Sequence, residues 1–494
     1  MTDAPRPEAR APRGFNDRRA RDLAAERQIL TKVSAVYERY GFEAFDTGAF
    51  EYADALGKFL PDADRPNEGV FALQDDDEQW MALRYDLTAP LARFVAETKE
   101  GLPKPFRRYA FGTVWRNEKP GPGRFREFTQ CDADTVGSAR PEADAEIIAM
   151  AVEGLEAAGL PTGSAIIKIN NRKLLNGLLT TAGVKDDGQK LAVLRAVDKL
   201  DRLGPEGVRL LLGEGRKDES GAFTKGAGLA AAGAEAVLAF TAAGAGGRTE
   251  TLDQIAGIIG GSAEGDAGLA ELAAIDQALK SLGVGVERAA FDPSIVRGLE
   301  YYTGAVFEAE LLLKTKDEKG RGVRFGSIGG GGRYDDLVAR FTGEQVPATG
   351  FSFGVSRLIS ALRAAGRDLG DQVRGPVVVI AFTPDDMTHY FEVVTELRNA
   401  GIAAEVYLGT AGMKAQMKYA DRRMAPAAIM LGGDEIAAGK VTIKDLDRGR
   451  MLATDVADNA EWREQRPGQQ IVDRADLVAT VRKIVDAQKI EAGK

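Results

Sequence analysis

The chain has 494 residues, too many for one hydrophobic core, so roughly two to four domains are expected. Its 65 basic and 74 acidic residues leave a net charge of −9, which excludes a global basic field and confines any nucleic-acid contact to local patches. A single cysteine, Cys131, and a single histidine, His389, exclude an intrachain disulfide and a Cys/His zinc site and fit the cytoplasm, while no apolar run approaches the ~18 residues of a membrane span.

Residues 1–21 read as a loose, Arg-rich arm that lacks the apolar centre of a secretory signal. From Asp22 to Tyr40, apolar residues at helical spacing (Leu23, Ile29, Leu30, Val33, Val36, Tyr37) predict a helix, followed by a strand over Phe42 to Phe50. Tyr109 to Asp134 then holds two runs rich in aromatic and β-branched residues around Lys119-Pro120-Gly121-Pro122-Gly123, a strand, turn and strand. Alternation puts Arg116 and Glu118 on one face of the first strand. On the second strand Arg126, Phe128, Gln130, Asp132 and Asp134 share a face, with Cys131 and Ala133 opposite. A solvated face would account for such a row on an ordinary hairpin. Guanidinium, carboxylates, an amide and one ring together suit an anion, an ammonium group and a flat base.

Residues 186–287 are rich in Ala and Gly at helical periodicity and read as a helical insertion. Within them Gly226-Ala227-Gly228-Leu229-Ala230-Ala231 fits the dinucleotide fingerprint formally, but no apolar strand precedes it, so NAD is not expected. Zinc and haem are not expected either. Gly329-Gly330-Gly331-Gly332 alone would be a flexible loop. After Gly366 the order is VVVIAF, a helix from His389 to Ala400, AEVYL, a helix from Lys414 to Met424, AAIMLGG and VTIKDL, which predicts a small α/β domain over 375–494. Its last helix is expected at about Asp473 to Ala487. Lys414, Lys418 and Arg422 recur every fourth residue as a basic stripe, with Met413, Met417, Ala420 and Met424 on the apolar side. His389 follows Pro384-Asp385-Asp386 at a helix start and reads as a surface residue, so no Ser/His/Asp triad is proposed.

Trp115-Arg116-Asn117-Glu118 resembles motif 2 of the class II aminoacyl-tRNA synthetases. IVRGLEYYTGAVFE (Ile295 to Glu308) and GSIGGGGRYDDLV (Gly326 to Val338) resemble the two signature segments of the histidyl-tRNA synthetases. LRYDLTAPLAR (Leu83 to Arg93), INNRKLLNGLL (Ile169 to Leu179) and GFSFGVSRLISAL (Gly350 to Leu362) are similar to the same family. The resemblance implies an α/β multidomain protein. Its class II antiparallel-sheet catalytic domain would lie in two parts, 22–185 and 288–366, around the insertion, with a C-terminal α/β anticodon-binding domain and helical extension over 375–494. The helix and strand up to Phe50 resemble motif 1 and imply a homodimer, although Gly48 stands where the family usually has proline.

Activation joins a carboxylate to the α-phosphate of ATP, so the site must supply positive charge, and arginine grips both groups bidentately while staying ionised. The resemblance implies Arg116 on the α-phosphate, Arg124 and Arg357 toward the outer phosphates, and Phe128 against adenine. Arg297 would sit where carboxylate and phosphate meet, so the resemblance implies Arg116 and Arg297 as the catalytic pair, both also in contact with histidine. Glu118 is a candidate partner of ATP and of the implied Mg2+, but the carboxylate that binds metal is not assigned. Asp86, Thr88 and Gln130 would hold the α-ammonium of L-histidine, Asp134 and Tyr302 its two ring nitrogens, with Tyr301 and Tyr334 lining the pocket. Arg124, Lys414, Lys418 and Arg422 would contact tRNA(His). Two further departures stand out: Ser356 stands where many relatives have Glu, and Pro120-Gly121-Pro122-Gly123-Arg124 replaces the Pro-Gln-Lys-Gly-Arg loop associated with the extra 5′ guanylate of histidine tRNA. The rival reading is a non-catalytic, histidine-sensing regulatory subunit of the ATP phosphoribosyltransferase type. Such paralogs typically lack the anticodon domain and lose the ATP-binding arginines, which this chain keeps.

Overall fold

The computed structural model describes residues 7–59, 69–98, 100–121, 125–182, 184, 186–217, 221–244, 246–259, 261–296, 301–313, 315–316, 322–323, 326–367, 369, 374–453 and 468–492. The chain divides into two compact units, Met1–Gly370 and Asp371–Lys494.

The first unit is built on an eight-stranded sheet. In spatial order its strands are Glu43–Ala44, Phe106–Trp115, Glu127–Val136, Ala348–Gly354, Ser327–Arg333, Ala305–Leu311, Ala165–Asn171 and Ala289–Phe291. All neighbours run antiparallel except the two outermost pairs. Helix Ala20–Arg39 buries Ala25, Ile29, Val33, Val36 and Tyr37, one stripe at helical spacing. The Tyr37 hydroxyl accepts from the Cys131 thiol at 3.6 Å, and its ring lies 5.9 Å from that of Tyr109. Helix Pro141–Ala157, opened by its proline, adds Ile147, Ile148, Met150 and Leu155 to the same core. Cys131 and Ala133 therefore face the core, and the even-numbered residues of their strand face away from it.

Three sequence expectations change here. The predicted strand Phe42 to Phe50 is two pieces: Glu43–Ala44 edges the large sheet, whereas Phe50–Tyr52 pairs with Trp80–Leu83 in a separate three-stranded sheet. The buried Arg84 causes the break, since its guanidinium holds Asp46 Oδ1 at 2.9 Å and Thr47 O at 2.7 Å and draws the chain off the sheet edge. The hairpin strands stop at Trp115 and resume at Glu127, so Arg116, Glu118 and Arg126 lie beyond the ladder. There the Arg126 amide donates to Gly14 O at 3.0 Å and its Nε to Glu118 O at 3.0 Å. The arm is thus docked from Gly14 onward, with Phe15 5.7 Å from Phe71 and Arg18 donating to Thr129 Oγ1 at 3.4 Å. Gly14, at φ +88, adopts a backbone that a side chain would strain.

The 186–287 stretch is largely helical, as its periodicity indicates: Asp187–Val197, Leu200–Leu212, Ala231–Ala242, Arg248–Ile259 and Ala263–Ser281, plus a short hairpin of Gly215–Lys217 with Phe223–Lys225. Asp186 and Ser262 cap two of these helices through their side chains. Leu272, Ile275 and Leu279 join the core that holds Ile167 and Ile169 of the sheet, so these helices pack into the first unit rather than beside it.

The second unit carries a five-stranded sheet ordered Ala404–Val406, Val377–Ile380, Ala427–Met430, Lys440–Asp445 and Gln469–Asp473. The first three strands are parallel and the last two antiparallel. Its helices include Met387–Asn399, Met413–Arg422 and Leu477–Ala492. The last begins after the expected Asp473, because Gln469–Asp473 pairs with Lys440–Asp445 as an edge strand that its polar composition concealed. On Met413–Arg422 the buried positions are Gln416 and Ala420 with Met417 partly covered, while Met413 and Met424 are exposed, contrary to the apolar side expected. Gln416 displaces them because its amide bonds both Ala381 N and O, at 2.9 and 2.7 Å, and Ala411 O at 2.9 Å. Among the described residues no helix is long and apolar enough to cross a membrane.

Candidate active site

On the outward face of the large sheet, register rather than sequence proximity assembles a polar patch. Across the central strands Arg108 lies opposite Asp134 and Asp134 opposite Gly350; Ala110, Asp132 and Ser352 form the next row, and Gly112, Gln130 and Gly354 the one after. The flanking residues are mostly small, so the strand Glu127–Val136 presents its carboxylates and amide on the floor of a trough. A Cβ at Gly350 would collide with Asp134 Oδ1, so that close approach requires glycine.

Asp134 is almost wholly buried. One of its oxygens lies 2.8 Å from Arg108 Nη2, and the other accepts from the Tyr334 hydroxyl. Burial raises its pKa, while Arg108 and the Tyr334 bond pull it back toward the charged form. Arg108 is fully buried and also donates to Leu87 O at 2.9 Å. Beside it, Asp132 accepts from Ser352 Oγ, and burial pushes its carboxyl up to about 7 despite Arg108. Tyr301 packs edge-on against Tyr302 with centroids 5.1 Å apart and stands 5.6 Å from Tyr334. Burial first, and then the nearby carboxylates, hold the Tyr301 and Tyr334 phenols well above their ordinary range, so both stay neutral. Thr88 shares a hydrogen bond with Tyr301. Asp86 Oδ1 accepts from the amides of Thr88 and Ala89 at 3.1 and 2.9 Å, capping helix Thr88–Glu97 while its charge still reaches Asp132 and Asp134.

Phe128 lies one strand step beyond Gln130, at the open end of the trough. The Arg116 guanidinium sits 4.3 Å from the Tyr85 ring and 5.2 Å from the Phe128 ring, and its Nε donates to Tyr85 O at 3.3 Å. The Tyr85 hydroxyl donates to Glu118 Oε1 at 3.1 Å. Arginine, ring and carboxylate thus stand together at one end, and acids and phenols at the other. The structure brings Asp86, Thr88, Gln130, Asp134, Tyr301, Tyr302 and Tyr334 into one patch and sets Arg116, Glu118 and Phe128 at its mouth. Arg357 is exposed in the first turn of helix Val355–Ala364, where the Ser356 hydroxyl accepts from the Thr129 amide at 3.4 Å. Arg124 and Arg297 lie outside the described residues. Lys414, Lys418 and Arg422 are exposed along one side of their helix in the second unit, and His389 is exposed beside Glu392. Sequence reasoning missed Arg108, Tyr85 and Ser352 and gave Asp132 no role. Alternation back from Val114 would have put Arg108 on the ligand face, but its pairing with Asp134 depends on a register set by the turn.

A family model described as histidyl-tRNA synthetase matches residues 14–358, and one described as anticodon binding domain matches 376–483. A relative named histidine–tRNA ligase from Caulobacter vibrioides is 77% identical over 97% of this chain and 97% of its own. The chain belongs to the histidyl-tRNA synthetase family. Another relative of that name, from Brucella suis, is 57% identical over 97% of this chain and 96% of its own. A solved histidyl-tRNA synthetase from Nostoc sp. PCC 7120 is 29% identical with a TM-score of 0.72, covering 97% of this chain and 100% of that one. Synthetases of this family are aminoacyl-tRNA ligases, and near full-length relatedness to them disfavours the regulatory-subunit reading.

Proposed function

We propose that the chain activates L-histidine with ATP to histidyl-adenylate and pyrophosphate and then transfers histidine to the 3′ end of tRNA(His), working in the cytoplasm as a homodimer. The observation that carries the reading is the sorting of charge along one trough, with Arg116 and Phe128 at its mouth and Gln130, Asp134 and the three tyrosines at its floor. In the first step an oxygen of the histidine carboxylate forms a bond to the α-phosphorus while the bond to pyrophosphate breaks. Arg116, and Arg297 by family position, hold the two anions together and favour the transition state, in which their charges converge. Phe128 gives the adenine a stacking face. In the second step the terminal ribose hydroxyl of tRNA attacks the carbonyl and AMP leaves. Magnesium would travel with the ATP phosphates, which suits a cation that keeps much of its water, with Glu118 in reach as a partner through that water.

The imidazole end is read by a phenol and a carboxylate. Asp134 with Tyr302 would satisfy one ring donor and one acceptor, and an apolar isostere would leave both groups unpaired. Pyrophosphate exchange measured with each of the twenty amino acids tests the proposal. Exchange with histidine alone is expected, and exchange with none, or with another amino acid in preference, overturns it.

A further inference from the structure

Asp132 sits between Gln130 and Asp134 on the trough floor and is 1% exposed. Its Oδ1 accepts from Ser352, while Oδ2 has no partner; Gln130 Oε1, two residues along on the same face, is likewise buried without one. Ala110 and Ser352 flank Asp132 in register, and Gly112 and Gly354 flank Gln130, so the adjacent strands offer only small side chains beside the two acceptors, while Arg84 and Leu87 pack over Gly112. Among the described residues, the titratable groups around Asp132 are Asp134 on its own strand, Arg108 on the next, Asp86 at the start of helix Thr88–Glu97, and Cys131 and Tyr37 on the core side. Arg108, the one cation among these, meets Asp134 and Leu87 O through Nη2 alone, and its Nε and Nη1 are buried without a hydrogen-bond partner. Thr88 is engaged with Tyr301.

We infer that Asp132 belongs to the α-ammonium site, where Asp132 Oδ2, Gln130 Oε1 and the Asp86 carboxylate are the acceptors for the three N–H groups of the amino acid. The placement rests on the histidine reading above. An ammonium ion supplies three donors and one positive charge, and the described residues there hold three acceptors, with the carboxylates of Asp86, Asp132 and Asp134 against the single charge of Arg108. The unsatisfied oxygen, its carboxyl pushed up to about 7 chiefly by burial, gains its counter-charge when the substrate arrives.

The test is calorimetric binding of histidine and of 3-(imidazol-4-yl)propanoate, which keeps the ring and carboxylate and lacks the amine, to the full chain and to Asp132→Asn. A charge-assisted hydrogen bond corresponds to roughly 10- to 100-fold in affinity. The variant should therefore lose about that factor for histidine and stay within about threefold for the propanoate, so that the parent's preference between them collapses. Asp132→Ser, measured in parallel, gives the same comparison should the amide fail to fold. If the parent prefers histidine and either folded variant keeps that preference, Asp132 does not meet the amine and the placement alone fails. A parent that binds neither ligand overturns the amino-acid reading and this placement with it.

Discussion

Arg108 and Asp134 carry opposite charges in a space that water does not reach, and each needs the other there. Removing one partner leaves the other buried and unpaired, so Arg108→Met should lower unfolding stability by about 3–5 kcal/mol in urea, well beyond the effect of Ser352→Ala. Gly350→Ala acts on the same acid sterically. With its Cβ driven into Asp134 Oδ1, the Michaelis constant for histidine in pyrophosphate exchange should rise at least about tenfold while that for ATP changes little. Asp132 makes stability depend on pH in the less usual direction for an acid. Its pKa rises from 3.8 to about 7 on folding, so the native state binds the proton more tightly than the unfolded chain, and the stability this confers is present below about pH 4 and lost as pH rises through 7. Asp144, raised to about 6 by burial against the pull of Arg333, contributes with the same sign. Melting temperatures between pH 5 and 8 should accordingly fall less in Asp132→Asn than in the parent. At this scale the sequence disclosed which residues share a face, because alternation is local. It could not disclose that Asp134 has two partners, since Arg108 reaches it across a strand pairing 26 positions away and Tyr334 through a side-chain hydrogen bond 200 positions away.

Among elements, the helix Met413–Arg422 joins a hidden polar anchor to an open basic side. Gln416 ties it to the strand Val377–Ile380 and its following loop, which leaves Lys414, Lys418 and Arg422 facing water. Phosphate contacts position RNA without touching the chemistry of activation. Replacing all three with Ala should cut aminoacylation by about tenfold or more and flatten its salt dependence, with histidine-dependent exchange unchanged; a parallel fall in both assays would place the stripe elsewhere in function. The turn after Trp115 makes a separate case. Gly121 offers no side-chain amide and Pro122 no ammonium, so aminoacylation of matched transcripts with and without the extra 5′ guanylate should differ by less than about a hundredfold, ~2.7 kcal/mol, in kcat/KM. Most element types were legible from periodicity, including the helices of the insertion and the alternation of the second unit. The edge strand Gln469–Asp473 was not, because a polar strand exposed on one side carries no apolar signal, and the split of Phe42 to Phe50 depended on a distant arginine.

In the molecule as a whole, the catalytic unit is less modular than its sequence composition suggests. Helix Ala263–Ser281 runs so close to Arg172–Thr181 that a Cβ at Gly177 would strike the Gly265 backbone, and Glu271 bridges Asn171 and Lys173 at 2.7 Å and 2.5 Å. Excising 187–281 should therefore give an insoluble or molten product, as judged by near-ultraviolet circular dichroism, rather than a smaller active enzyme. The strand Glu127–Val136 has a related property. Gln130, Asp132 and Asp134 alternate with Cys131 and Ala133, and the latter pair rests on the helix that carries Tyr37. One short segment thus serves as both wall and keystone, and its two sets of residues cannot vary independently. A laboratory selection for charging a bulkier histidine analogue should recover compensating changes at Val33 and Tyr37, residues that never meet the substrate, because enlarging the pocket by shifting this strand first requires room behind it.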